Sequence, residues 1–141
     1  MISLVQEFHA KFMLPEGTAD VLLNDQHAQA FRLGFLREEV QELEDALALG
    51  DNVGVFDALI DLVYVAYGTA LFAGISPEQW DAGFVAVHQA NMRKIRVARA
   101  DDSKRGTAFD VRKPKGWLGP EDDLGDILNW STNRRQGDLL K

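Results

Sequence analysis

Apolar residues recur at intervals of three and four along most of the first hundred positions, a spacing that predicts helices. Leu4, Val5, Phe8 and Phe12 mark a short helix over residues 2–13, and Pro15 and Gly17 predict a loop over 14–24. A long helix is expected over about 25–49. Its apolar stripe is Leu33, Leu36, Val40, Leu43 and Leu47, and Gly50-Asp51-Asn52 ends it. A third helix spans about 53–73, with Gly74 as its stop. Ser76 reads as the N-cap of a fourth, with Pro77 at its first position and Gln79 three residues after the cap. That helix runs to Lys94 or Arg96, with Trp80, Phe84, Val87 and Met92 among its apolar positions. Beyond Ala100 the period is lost. Residues 101–119 read as irregular with Trp117 as their large anchor, and 120–129 as a last short helix. No segment alternates as a strand. The pattern predicts an all-α fold, an antiparallel bundle of four main helices with an irregular C-terminal tail.

A chain of 141 residues, 46% of them hydrophobic, is long enough for one domain over 1–141, with a core over about 1–97 and a basic tail over about 98–141. The absence of cysteine excludes disulfides, zinc–thiolate sites and thiol nucleophiles. No basic N-terminal stretch precedes an apolar run, and the uncharged run 62–75 is shorter than the roughly 20 residues a membrane span needs. A cytoplasmic protein with a buried central helix is the expectation.

Charge changes the picture. Residues 93–115 hold nine bases (Arg93, Lys94, Arg96, Arg99, Lys104, Arg105, Arg112, Lys113, Lys115) and three acids (Asp101, Asp102, Asp110), a balance of 9 − 3 = +6. With −7 for the whole chain, the remainder carries −7 − 6 = −13. A basic segment on an acidic body suits an anionic ligand held between cations and metal-binding carboxylates, although a solvated surface loop has the same composition.

The acids are concentrated on two neighbouring helices: Glu38, Glu39 and Glu42 on the first, Asp57 and Asp61 on the second. Residues three and four apart share a helix face, so Glu38, Glu39 and Glu42 stand together, beside Phe35 and Ala46 and away from the Leu33-to-Leu47 stripe. Asp57 and Asp61 share a stripe with Tyr64 and Gly68, in a helix otherwise apolar. The connecting turn predicts antiparallel neighbours, with the helices offset if the two acidic groups are to meet. Carboxylates gathered in an apolar bundle repel one another, and a hard divalent cation such as Mg2+ or Mn2+ relieves this. The bland readings are a solvated glutamate face and an Asp61 paired with Arg32, Arg37 or Lys94.

In this order the residues resemble the all-α nucleoside triphosphate pyrophosphohydrolases, the MazG-like family, whose pattern is Glu-x-x-Glu on one helix and Glu-x-x-Asp on the next. Glu39-Val-Gln-Glu42 matches the first, with Glu38 just before it, and Asp61 the last acid of the second. Ala58 stands where the family has its third glutamate, and Asp57 precedes it. Val87-His88-Gln89-Ala90-Asn91-Met92-Arg93-Lys94 and Lys113-Pro114-Lys115-Gly116-Trp117 are similar to segments of the phage and bacterial branch related to dUTP-hydrolysing members.

The resemblance implies hydrolysis of a (deoxy)nucleoside triphosphate to monophosphate and pyrophosphate, with Mg2+ or Mn2+, in a homodimer or homotetramer. It implies Glu39, Glu42, Asp57 and Asp61 as metal ligands and Glu38 as the base, with Glu39 the alternative for that role. Lys94 would contact phosphates and Asn91 the sugar or base. Arg105, Lys113 or Lys115 would close over the triphosphate, and Trp117 would stack on the base or serve as a packing anchor. A di-iron bundle is excluded because no histidine follows Glu38 or Glu39 by three residues. His-Asp phosphohydrolases are excluded because no His-Asp dipeptide occurs, and His9, His27 and His88 are isolated in sequence. The rival class is a non-catalytic helical dimerisation or nucleic-acid-binding module that grips phosphate backbones with residues 93–115. Of the two the enzyme is expected, with nucleic acid not its partner.

Overall fold

The structure, a computed structural model, describes residues 1–15 and 17–130. These form α1 (Ile2–Lys11), α2 (Ala19–Asn24), α3 (Gln26–Leu49), α4 (Asn52–Phe72), α5 (Pro77–Met92), β1 (Ile95–Arg96), a 3-10 turn (Ala100–Asp102), β2 (Val111–Arg112) and α6 (Glu121–Leu128). The fold is all-α. Two compact units are present, Met1–Pro77 and Glu78–Lys141. The end of the expected tail, residues 131–141, lies outside the described residues.

In the first unit local chemistry sets the helix ends. The Asp25 carboxylate accepts from the His27 and Ala28 amides at 2.8 and 3.2 Å and caps α3. Asp51 caps α4 through the Val53 and Gly54 amides at 3.0 and 3.1 Å. Gly50 (φ 68°) and Gly74 (φ 74°) supply the left-handed residue that closes α3 and α4. The amides beyond them, of Asp51 and Ile75, donate to Ala46 and Ala70 carbonyls, both at 2.9 Å.

Two contacts fix the α3–α4 register. A Cβ built on Gly54 would stand 3.1 Å from the Ala46 Cβ. At the far end Arg32 donates from Nη2 to the Val65 carbonyl (2.9 Å) and from Nε to Thr69 Oγ1 (3.1 Å), with Gly68 beside its guanidinium. Glu39 lies seven residues from both Ala46 and Arg32, and Asp61 lies seven from both Gly54 and Gly68, so the two acids face each other midway. The hairpin therefore needs no offset, contrary to the sequence expectation.

The face of α3 that meets α4 is the acidic one, not the apolar stripe. Leu33, Val40 and Leu47 are 47, 44 and 61% exposed, while Ala28, Arg32 and Ala46 are buried. Small residues allow the closest backbone approach, so the acidic, alanine-containing face of α3 meets α4, while Leu33, Val40 and Leu47 stay exposed and Leu36 and Leu43 are half-buried. The expected burial of α4 holds for its C-terminal half, where Gly68, Ala70 and Leu71 are buried, but not for one face of its N-terminal half. Its 21 residues are long and apolar enough, by length and composition, to cross a membrane. Yet Val53, Phe56, Ile60 and Val63 are 77, 68, 51 and 45% exposed.

The expected loop over 14–24 contains α2, whose six residues are too few to show a period. Among the described residues the segment expected to be irregular holds a short sheet and a 3-10 turn. In the second unit β1 and β2 pair antiparallel, Ile95 with Arg112 and Arg96 with Val111. Strands of two residues carry no alternation to detect. They also end α5 at Met92, short of Lys94. The buried Gln79 amide donates to the Ile127 and Leu128 carbonyls at 3.0 and 3.2 Å, tying α5 to the last turn of α6. Trp117 Nε1 donates to the Ala90 carbonyl at 2.8 Å, fixing the loop before α6 to α5.

Candidate active site

Glu39 is half-buried between α3 and α4, and its Oε2 atom is buried without a hydrogen-bond partner. Burial, first, and then the negative charges of Glu42, Asp61, Glu38 and Asp57 raise its carboxyl above the ordinary glutamate value. All five carboxylates singled out in the sequence thus act on one field. Asp61 is half-buried, and Glu38, Glu42 and Asp57 are exposed at the rim.

Among the described residues none of the five has a basic partner within ion-pair distance. Arg32 is not the counter-ion of Asp61. It is buried against Val65 O and Thr69 Oγ1, and its guanidinium lies 5.4 Å from the Phe35 ring centroid. Desolvation lowers its pKa from the ordinary arginine value. Ala58, where the family pattern has its third glutamate, is 2% exposed. Asp57 stands one residue outside that buried position.

No group of three acidic or histidine side chains among the described residues converges closely enough to hold a metal ion as placed. The donor set nevertheless fits a hard divalent cation. It is all oxygen, one atom is orphaned and buried, and the three exposed acids are free to swing. Magnesium keeps several waters and needs few protein oxygens. Of the histidines, His9 is buried beside Gly68 and Arg32, while His27 and His88 are exposed on helices, away from any ligand set.

The remaining expected residues fall in the second unit. Lys94 and Lys113 lie over Trp117, with Nζ 5.8 and 4.3 Å from the ring centroid. Trp117 thus has the contacts of a packing anchor. Arg105 is ion-paired to Asp110 at 2.9 Å. Asn91 and Lys115 are exposed. Lys94, Arg105 and Lys113 line one cavity together with Lys104 and Arg112, which the sequence reading counted only as part of the basic segment, and Ser103, to which it gave no role. The signal for Ser103 was its place seven residues before an aspartate among lysines and arginines, and the two close a loop through the 2.7 Å Ser103 Oγ–Asp110 hydrogen bond.

An antiparallel helix pair with Glu-x-x-Glu on one member, set across from an aspartate on the other, defines a nucleotide pyrophosphohydrolase of the all-α, MazG-like superfamily. The family model of phosphoribosyl-ATP pyrophosphohydrolase matches residues 5–91, well over half of the chain, and the chain belongs to that family. The matched stretch contains all five carboxylates and ends at Asn91, before the two-stranded hairpin. None of the curated proteins matches the chain.

Proposed function

We propose that the protein is a cytoplasmic, Mg2+- or Mn2+-dependent hydrolase that cleaves a nucleoside triphosphate to the monophosphate and pyrophosphate. The observation that carries this reading is the unpartnered, buried Oε2 of Glu39 among four further carboxylates with no base beside them. Glu39, Glu42 and Asp61 would hold the cation, with Asp57 at its edge. When bound, the cation neutralises phosphate charge and makes a coordinated water more acidic. Glu38, exposed next to Glu39, accepts the proton of the attacking water. The water oxygen bonds to phosphorus, the bridge between the α- and β-phosphates breaks, and pyrophosphate leaves.

On the family likeness, Asn91, Lys94, Lys113 and Lys115 bind substrate, with Arg105 available once released from Asp110. The family's name makes phosphoribosyl-ATP one substrate to test, and the likeness of the tail to dUTP-hydrolysing proteins makes dUTP another. The exposed Val53, Phe56, Ile60 and Val63 are spaced three, four and three residues apart on α4, the geometry of a helix–helix seam. A second copy of the chain would cover them, giving a homodimer, or a homotetramer if a further face pairs.

The test is pyrophosphate release from a panel of nucleoside triphosphates and phosphoribosyl-ATP, with Mg2+ and with chelator. Turnover of at least one member only with metal is expected. Release that is equal in chelator, or absent from the whole panel, contradicts the proposal.

A further inference from the structure

The apolar row on α3 keeps a strict spacing. Leu33, Leu36, Val40, Leu43 and Leu47 stand three, four, three and four residues apart, two full repeats of the seven-residue pattern by which one helix locks onto another. Leu33, Val40 and Leu47 are exposed, and Leu36 and Leu43 are half-buried. At about 100° per residue the row is turned roughly 80° about the helix axis from Arg32, Glu39 and Ala46, the positions that face α4. A helix laid on the row would therefore stand beside α3 at one corner while α4 stands at the next, as neighbours do in a four-helix bundle.

The charges beside the row select the occupant, because flanking charges set the partner and the direction of paired helices. On the outer flank are Arg37 and Glu44, both exposed and neither in an ion pair among the described residues. On the inner flank are Arg32, Glu39 and Ala46. A second copy of α3 laid antiparallel, with Leu33 opposite Leu43 and Leu36 opposite Val40, sets Arg37 of each copy against Glu44 of the other, twice by symmetry. Sliding that pair by one repeat brings Glu44 against Glu44 or Arg37 against Arg37. A parallel pair sets Arg37 beside Arg32 and Glu44 beside Glu39, like against like.

We propose that this row is a self-association seam on which α3 of a second copy packs antiparallel, held by reciprocal Arg37–Glu44 ion pairs. It is separate from the α4 face of Val53, Phe56, Ile60 and Val63, and it does not rest on the hydrolase reading. Where both faces pair, the α3 seam joins α4-paired dimers into a tetramer. Leu36 and Leu43 are half-buried before association, so less apolar surface leaves water here than at α4, and the seam fills at higher protein concentration.

Sedimentation velocity of the full chain over a concentration series tests it. The parent is expected to double in mass towards the high end. Arg37→Glu and Val40→Asp should each lose the doubling, and Arg37→Glu/Glu44→Arg should regain it. The three positions are exposed, so circular dichroism of the variants should match the parent. In Phe56→Asp the α3 step should survive, taking monomer to dimer. A parent of constant mass, single variants that double as the parent does, or a charge swap that stays at the lower mass each overturns the seam. Failure of the α4 pairing has a different signature: parent and Phe56→Asp then show the same single step, still abolished by Arg37→Glu.

Discussion

The chemistry of the candidate site is concentrated in Glu39. A carboxyl whose folded pKa is raised destabilises the fold while ionised, and the effect disappears as pH falls through the raised value. Metal-free protein should therefore gain thermal stability on mild acidification, and Glu39→Gln should raise the midpoint at neutral pH. In Mn2+ the order should reverse, with the parent stabilised and the variant unmoved. Differential scanning fluorimetry across pH, with and without Mn2+, checks both. Arg32 is the opposite case, a buried cation on neutral acceptors. Arg32→Ala removes its bonds to Val65 O and Thr69 Oγ1 and leaves the site empty, at a cost of roughly 2–3 kcal/mol measurable by urea unfolding. Asp57 and Asp61 were legible in the sequence because charge is conspicuous in an apolar helix, and Glu38, Glu39 and Glu42 because their spacing puts them on one face. The role of Arg32 was not, because a neutral carbonyl as the partner of a buried guanidinium leaves no mark in composition.

Helix ends were read to within about two residues at α3 and α4, because Asp25, Asp51, Gly50 and Gly74 carry the capping chemistry themselves. The acidic face of α3 meets α4 as the sequence required, and only the expected offset between the helices was wrong. Leucine spacing marks the most apolar face, yet the α3–α4 seam selects small residues, and Leu33, Val40 and Leu47 stay exposed. Gly54 is the sharpest test of the seam. Its Cβ would stand 3.1 Å from Ala46 and 2.8 Å from Asp51 Oδ2. Gly54→Val should push the helices apart, costing about 1–3 kcal/mol of stability, while an equal change on the exposed face at Ala48 should cost far less. Thermal unfolding of the two variants compares them. The hairpin between α5 and α6 was invisible for a different reason. Two-residue strands hold by Asp110, Ser103 and Arg105, contacts that become neighbours only when the loop closes.

For the whole molecule, exposed apolar surface on α4 and a divided charge are the governing features. If α4 pairs with its copy, Phe56→Asp should convert a dimer to a monomer in sedimentation velocity and reduce turnover, whereas Leu49→Asp, at the end of α3, should leave the assembly unchanged. The same pairing would account for the membrane-length apolarity of α4, since Asp57 and Asp61 would be costly in lipid.

The most direct test of the account is Mn2+ binding followed by electron paramagnetic resonance, with nucleotide turnover assayed on the same samples, for the parent and for Glu39→Gln. The account predicts that the parent removes free Mn2+ from solution and releases pyrophosphate, and that the variant loses both by about 100-fold or more. A variant that binds Mn2+ as the parent does and turns over at the same rate would contradict it.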